Sequence, residues 1–293
     1  MDNKKLYSIG EISTICGITI KTLRYYDSIG LIQPTVRNYS SGYRYYRHDQ
    51  IQQICLVKTL KALNFSLEDI QSILKQHKLE YTHAAIEKNL DSLEKELRAL
   101  QSVYDSGVSY RERLRLGRDI LERYHNSDNK EQFPKEMLRV EEIAERDVIF
   151  IRNTIKDYHN AAVQIELYSC VLDLVKRSGN VAIGPLYVAY HQKPMEHFYV
   201  RDCDYEIGIG AAGKGGSSGD NSHFRHEKGY TALTTFHVGK YDKLLHPYIM
   251  MMDWIRANGY TIAGPMRDCF FISAIDTTDA DKFVTKILIP VSR

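Results

Sequence analysis

Apolar positions repeat at helical spacing from Ile9 to Cys16, and again from just after Thr19 to about Ile29, with Gly17 between the runs and Gly30 behind them. Thr19 has the side chain of an N-cap, and glycine readily takes the left-handed conformation that ends a helix. The pattern therefore predicts two short helices about a tight turn, a helix-turn-helix. Residues 37–47 read RNYSSGYRYYR. Two extended pieces about Ser-Ser-Gly predict a hairpin, where a wing would sit. Helical spacing resumes over 49–63 and 66–79, and Ser66 with Asp69 resembles a capping box with Asp in the usual Glu position.

From Ile86 the apolar residues fall at Leu90, Leu93, Leu97, Leu100 and Tyr104, in alternating steps of four and three with charges between them. A stripe this narrow is a coiled-coil seam and implies a homodimer. The chain stays helical but polar beyond it and ends in the linker-like HNSDNKEQFP around Pro134. The last half contains an internal repeat. One copy runs DVIFIRNTIKDY, a helix ending LVKRSG, then NVAIGPLYVAYH; the other runs YTALTTFHVGKY, a helix ending WIRANG, then YTIAGPMRDCFF. Each copy reads strand, helix, strand, strand, closing on DYEIGIG or TKILIPV. Two such units sharing one antiparallel sheet give an α+β domain with a central groove. The expected divisions are 1–78 for the helix-turn-helix and wing, 79–125 for the dimerisation helix, 126–138 for a linker and 139–293 for the repeat domain.

At 293 residues and 43% hydrophobic the chain can fill about two cores. No apolar run is long enough to span a bilayer and the start lacks a secretory stretch, so no membrane partner is expected and the cytoplasm is the expected location. The net charge is only +2, but residues 16–61 hold seven Lys or Arg (Lys21, Arg24, Arg37, Arg44, Arg47, Lys58, Lys61) against Asp27 and Asp49, a net of +5. From residue 139 onward 18 basic residues face 19 acidic ones, a net of −1. The front suits a polyanion and the back does not. Cys16, Cys55, Cys170, Cys203 and Cys269 are scattered without finger or CxxC spacing and read as reduced, packed thiols.

The stretch ITIKTLRYYDSIGLIQP places two cations and two tyrosines at the start of the second helix, where side chains can reach a major groove. Together YSIGEISTICGITIKTLRYYDSIGLIQP, GYRYYRHDQIQQI and LKALNFSLEDI resemble the MerR family over positions 6 to 75. The resemblance implies that Thr19, Lys21, Arg24 and Tyr25 lie on a recognition helix, that Tyr43, Arg44 and Tyr45 lie on a phosphate-gripping wing, and that Lys58 and Lys61 make flank contacts. Tyr26 and Arg37 complete the expected DNA-facing set. It also implies an antiparallel coiled coil and a palindromic double-stranded promoter with an over-long spacer. Distorting that spacer would let RNA polymerase engage both promoter elements.

Metal and redox members of that family carry cysteines near the ends of the dimerisation helix, but none lies between Cys55 and Cys170. His77 and His83, six residues apart, share no helical face well enough for a zinc pair. No metal and no cofactor is expected. FHVGKYDKLLHPYIMMMDWIRANGYTIAGP and TKILIPV instead resemble the GyrI-like effector domain of multidrug-sensing regulators. The resemblance implies a groove in which aromatic faces sandwich a flat or lipophilic cation and a carboxylate answers its charge. Tyr187, Tyr190, Tyr241, Phe270 and Phe271 are the expected lining, with Trp254 expected in the core. Asp268 stands nearest to the usual glutamate, three residues after Pro265, and Glu206 is the second candidate. GIGAAG at 208–213 matches GxGxxG only formally, because KGGSSGDNS rather than a helix follows it. No catalytic constellation assembles, so a ligand-responsive activator rather than an enzyme is expected. The alternatives are a domain acting on electrophilic ligands and an architectural DNA binder without ligand.

Overall fold

The computed structural model describes residues 5–38, 42–76, 78–156, 161–213 and 223–293. They form two compact units, 1–97 and 98–293. The first unit contains β1 (Tyr7–Ser8), α1 (Ile9–Cys16), α2 (Ile20–Ser28), β2 (Val36–Arg37), β3 (Arg44–Tyr46), α3 (His48–Ala62) and α4 (Leu67–Gln76). Ser8 and Glu11 close a capping box at the start of α1, and Gly17 ends it at φ 59°. Thr19 caps α2 by accepting from the Thr22 amide at 3.1 Å. At the start of α4 the Asp69 amide donates to Ser66 Oγ at 3.0 Å. The small sheet runs β1-β3-β2. Of the Ser-Ser-Gly turn expected between β2 and β3, residues 40 and 41 lie outside the described residues. Ile12, Leu23, Tyr46, Ile54, Leu60 and Ile70 are fully buried at the centre.

Helix α5 (Leu79–Asn126) is one continuous piece of 48 residues. Ile86, expected in the dimer seam, packs against the core of the first unit instead. It sits where α5 leaves that core, and Asn89 Nδ2 donates to the Leu63 carbonyl at 2.8 Å close by. Beyond that point Leu90, Leu97, Leu100 and Tyr104 stand exposed and Leu93 is half-buried.

The second unit adds α6 (Phe133–Glu136), β4 (Arg139–Ile143), β5 (Arg146–Ile155), α7 (Ala161–Ser178), β6 (Val181–Tyr190), β7 (Cys203–Ala212), β8 (Phe224–Glu227), β9 (Tyr230–Val238), α8 (Leu245–Ala257), β10 (Thr261–Ile262), β11 (Met266–Ile272) and β12 (Val284–Ser292). The two repeats are β5-α7-β6-β7 and β9-α8-β11-β12, joined where β6 pairs with β11. The strand order is β4-β9-β12-β11-β6-β7-β5-β8.

The two ends of that order meet. β4 pairs with β9 down to Ile143↔Tyr230, and β5 pairs with β8 from Arg146↔Glu227. Two residues intervene on each segment, so 139–149 and 224–234 form one antiparallel pairing in a single register with a bend in it. The sheet therefore closes into a barrel. Alternate residues on each strand face outward or into the lumen. α7 covers an outer cluster containing Val188, Tyr205, Ile207 and Ile209, and α8 covers another containing Leu233, Ile287 and Ile289. Tyr187, Ala189, Ala232, Cys269 and Leu288 fill the lumen.

Gly208 and Gly210 lie within β7, where a Cβ would come within 2.7 Å of Tyr187 Oη or 2.6 Å of the Ile183 carbonyl. These glycines serve close packing against the neighbouring strand β6. Among the described residues no helix is long and apolar enough to cross a membrane.

Candidate functional site

Helix α2 buries Leu23, Tyr26 and Asp27 and leaves Thr19, Lys21, Arg24, Tyr25 and Ser28 exposed on the opposite face. Lys21, Arg24, Tyr25 and Ser28 follow one another at the i, i+3, i+4, i+7 spacing of a single stripe. Tyr26, expected among the DNA-facing residues, is only 7% exposed and belongs to the core, because it shares the helix face of Leu23.

Asp27 ties the strands of the wing to this helix. Its buried carboxylate accepts from Arg37 Nη2 and, at 2.7 Å, from Arg44 Nε. Tyr43 is well exposed and Tyr45 half-buried. Arg44 thus anchors the wing to α2 through Asp27. Lys58 donates to the Cys16 carbonyl at 2.9 Å and Lys61 to the Phe65 carbonyl at 2.9 Å, so both expected flank contacts already hold backbone.

In the second unit, Asp268 of β11 points outward, on the side of the barrel that carries α7 and α8. It is 1% exposed and accepts from Tyr190 Oη at 3.0 Å and Tyr248 Oη at 2.9 Å. It makes no ion pair among the described residues. Burial pushes its carboxyl up to about 6 against the pull of the two tyrosine hydroxyls.

Aromatic rings surround it. His197 stacks on Tyr190 at 3.9 Å between centroids, Phe198 meets Tyr248 edge-on at 5.2 Å, and Tyr205 meets Tyr190 at 6.1 Å. Phe270, on the same strand face as Asp268, meets Tyr241 edge-on at 5.5 Å. Met195, with φ 70°, turns the chain so that the short 3₁₀ segment Glu196–Phe198 lays its rings against Tyr190 and Tyr248, the two partners of Asp268.

Comparison with known families gives two matches. The family of MerR HTH family regulatory proteins matches residues 7–77, and the family of the GyrI-like small molecule binding domain matches residues 136–292, more than half of the chain. The chain belongs to the GyrI-like family. It carries a MerR-type helix-turn-helix in front of that domain. Among characterised proteins, the multidrug-efflux transporter 2 regulator of Bacillus subtilis (strain 168) is 32% identical over 114 residues, 38% of this chain and 41% of its own. The multidrug-efflux transporter 1 regulator of the same organism is 42% identical over 65 residues, 22% of this chain and 23% of its own. The chain thus spans less than half the length of these relatives. A cryo-EM structure of an EcmrR-DNA complex in EcmrR-RPo matches at 25% identity and a TM-score of 0.47, over 98% of this chain and 100% of that one.

The structure divides the expected pocket of the GyrI-like domain in two. Tyr190, Tyr241, Asp268 and Phe270 gather on the outer face. Tyr187, Glu206 and Phe271 do not join them, because they occupy strand positions of the opposite parity and face the lumen. Tyr187 donates to Glu206 at 2.9 Å. Glu206 is fully buried and already answered: Arg225 reaches it at 2.6 Å and His191 Nε2 lies 3.1 Å away. Burial alone would raise its carboxyl, but the His191 and Arg225 hydrogen bonds and the Arg225 charge hold it down at about 2. Trp254 stacks on Tyr260 beside the cluster under α8, in keeping with a packing role.

Two features of the GyrI-like domain were missed in the sequence. The first is the lumen network, in which Glu227 binds Arg267 at 2.7 Å, Arg225 at 2.9 Å and Arg146 at 3.2 Å. Its signal was the presence of Glu206 and Arg267 inside largely apolar strands, while Arg225 and Glu227 sit on the polar strand FRHE and carried none. The second is Tyr248, whose position on α8 gave no hint of a carboxylate partner on β11. Among the described residues no cluster of His, Cys, Asp and Glu is arranged to hold a metal. His77 lies outside the described residues, and His83 sits 3.8 Å from Glu87.

Proposed function

We propose that this chain is a homodimeric, ligand-responsive transcription regulator of the cytoplasm, whose GyrI-like domain takes a lipophilic, flat organic cation. The observation that carries the ligand class is Asp268. A carboxylate with no cationic partner among the described residues, deep among aromatic rings, is expensive to keep charged. A cation entering beside it would supply the missing countercharge, and the faces of Tyr190, Tyr241 and Phe270 would add cation–π attraction of about 0.5 to 2 kcal/mol each. The His197 and Phe198 rings occupy the room such a ligand needs and would move aside for it.

The MerR-type head would bind a palindromic promoter with Lys21, Arg24 and Tyr25 in the major groove and the wing on phosphates. Dimerisation through Leu90, Leu93, Leu97, Leu100 and Tyr104 is supported by their a/d spacing and by the exposure of all but half-buried Leu93. Distortion of the spacer would then present both promoter elements to RNA polymerase.

The test is calorimetry of the full chain with a rhodamine-type cation and a neutral analogue of the same shape. The cation should bind at least tenfold tighter, and Asp268→Asn should remove that preference. Equal binding of the two compounds, or an unchanged preference in the variant, would falsify the cation reading.

A further inference from the structure

We propose that Cys16 and Cys55 form a peroxide-oxidisable dithiol built into the helix-turn-helix, a modification site separate from the ligand pocket. Thirty-nine residues apart in sequence, their sulfurs lie 3.9 Å apart, Cys16 at the last turn of α1 and Cys55 on α3. A disulfide needs about 2 Å between the sulfurs, so the approach required is about 2 Å, within what two side-chain rotations and a small helix shift can supply.

The two thiols differ in access, which sets the order of oxidation; the raised pKa of Cys16 keeps it out of the first step and slows its attack in the second, which goes through its thiolate fraction. Cys55 is exposed and open to a peroxide from solvent. Cys16 is 4% exposed, and burial, together with its hydrogen bond to Cys55, pushes its thiol up to about 11. The sulfur of Cys55, as its thiolate, attacks one oxygen of a hydroperoxide; the O–O bond breaks, an alcohol or water leaves, and Cys55 becomes a sulfenic acid. The sulfur of Cys16 then attacks the Cys55 sulfur. Its proton departs with the sulfenic hydroxyl as water, and the S–S bond forms. Two thiols have been oxidised by two electrons, and the peroxide has been reduced by two.

The consequence is local. Gly17 follows Cys16 directly and turns the chain at φ 59°, a left-handed conformation that other residues rarely adopt. Lys58 holds the Cys16 carbonyl, and Thr19 caps the recognition helix three residues on. Drawing Cys16 toward α3 displaces that turn and misaligns Lys21 and Arg24. This part rests on the DNA-binding reading given above; formation of the bond does not.

The experiment treats the reduced full chain with stoichiometric hydrogen peroxide, blocks remaining thiols with iodoacetamide and maps peptides by mass spectrometry. The expected result is a Cys16–Cys55 cross-linked peptide lighter by two hydrogens, reversed by dithiothreitol, absent in Cys55→Ser and retained in Cys170→Ser. Recovery of alkylated Cys16 beside a sulfinic or sulfonic Cys55, or cross-linking only between chains, would overturn the proposal.

A second measurement uses the duplex that the reduced protein selects from a random pool. Oxidation should lower affinity for it roughly tenfold or more in wild type and not in Cys55→Ser. An oxidised, cross-linked protein that binds unchanged would overturn the switch, whereas failure of the reduced protein to select any duplex would count against the DNA-binding reading alone.

Discussion

Arg113 of α5 and Asp276, in the loop after β11, form an ion pair at 2.7 Å in which neither side chain is more than 10% exposed. The same guanidinium donates to the Phe271 carbonyl at 2.7 Å, and Tyr110 donates to Asp276 at 2.7 Å. One turn further along, a Cβ on Gly117 would collide with Ile272 at 2.6 Å. The part of the long helix around Arg113 and Gly117 is therefore fastened to the end of the strand that carries Asp268 and Phe270.

Asp276→Ala should leave the Arg113 charge buried and unpaired, and destabilise the second unit by about 3–5 kcal/mol in chemical denaturation. Arg113→Met combined with Asp276→Ala should recover much of that loss. If the double variant is as unstable as the single one, the charge is not the cause.

Asp268 makes stability depend on pH in a direction opposite to most carboxylates. Its folded-state value, about 6, lies above the ordinary 3.8, so the native state holds the proton more tightly than the unfolded chain. Stability should fall as pH rises from about 4 to about 6, by up to about 3 kcal/mol, and level off above. Asp268→Asn should flatten that segment of the stability curve. Affinity for an organic cation should rise over the same range as the carboxylate ionises.

Glu206 and Glu227 act the other way. Held down at about 2 against an ordinary 4.5, they contribute stability that is present above pH 4.5 and lost as the pH falls toward 2. Acid titration followed by near-ultraviolet circular dichroism should show the barrel unfolding in that window. Glu206→Gln should remove part of the slope.

Gly208→Ala should destabilise the barrel by about 1–3 kcal/mol, because the new methyl meets Tyr187 Oη at 2.7 Å and the Ile149 carbonyl at 2.9 Å. Thermal unfolding measures it. An unchanged transition would mean that the strands can part at no cost.

In the head, Arg24→Ala should weaken binding to the selected duplex by about 1–3 kcal/mol, while Lys21→Ala should reduce the salt dependence by about one counterion. Asp27→Ala should also weaken binding although Asp27 is buried, because it releases Arg37 and Arg44 from their common anchor. A gel-shift titration at several salt concentrations separates the three effects.

The helix-turn-helix and the two repeats were legible because local chemistry marks them: Thr19 as a cap, Gly17 as a stop, and two Gly-Pro pairs at equal places in the repeats. The closure of the barrel was not. It depends on the register between 139–149 and 224–234, which no local pattern records. The pocket was half legible. Asp268, Tyr190, Tyr241 and Phe270 come together, but Tyr187 and Tyr190 are three residues apart on one strand and cannot face the same way. The nearness of Cys16 to Cys55 and of Arg113 to Asp276 arises from packing between distant segments, which composition and spacing do not encode.

Because the sheet is a ring, the two repeats are not leaves that can swing apart on a hinge. Separating them would break two ladders at once, one between β6 and β11 and one along the bent pairing opposite. On the reading proposed above, a ligand reaching Asp268 would therefore have to displace the Glu196–Phe198 segment rather than part the two repeats, because the ring of strands behind it stays closed.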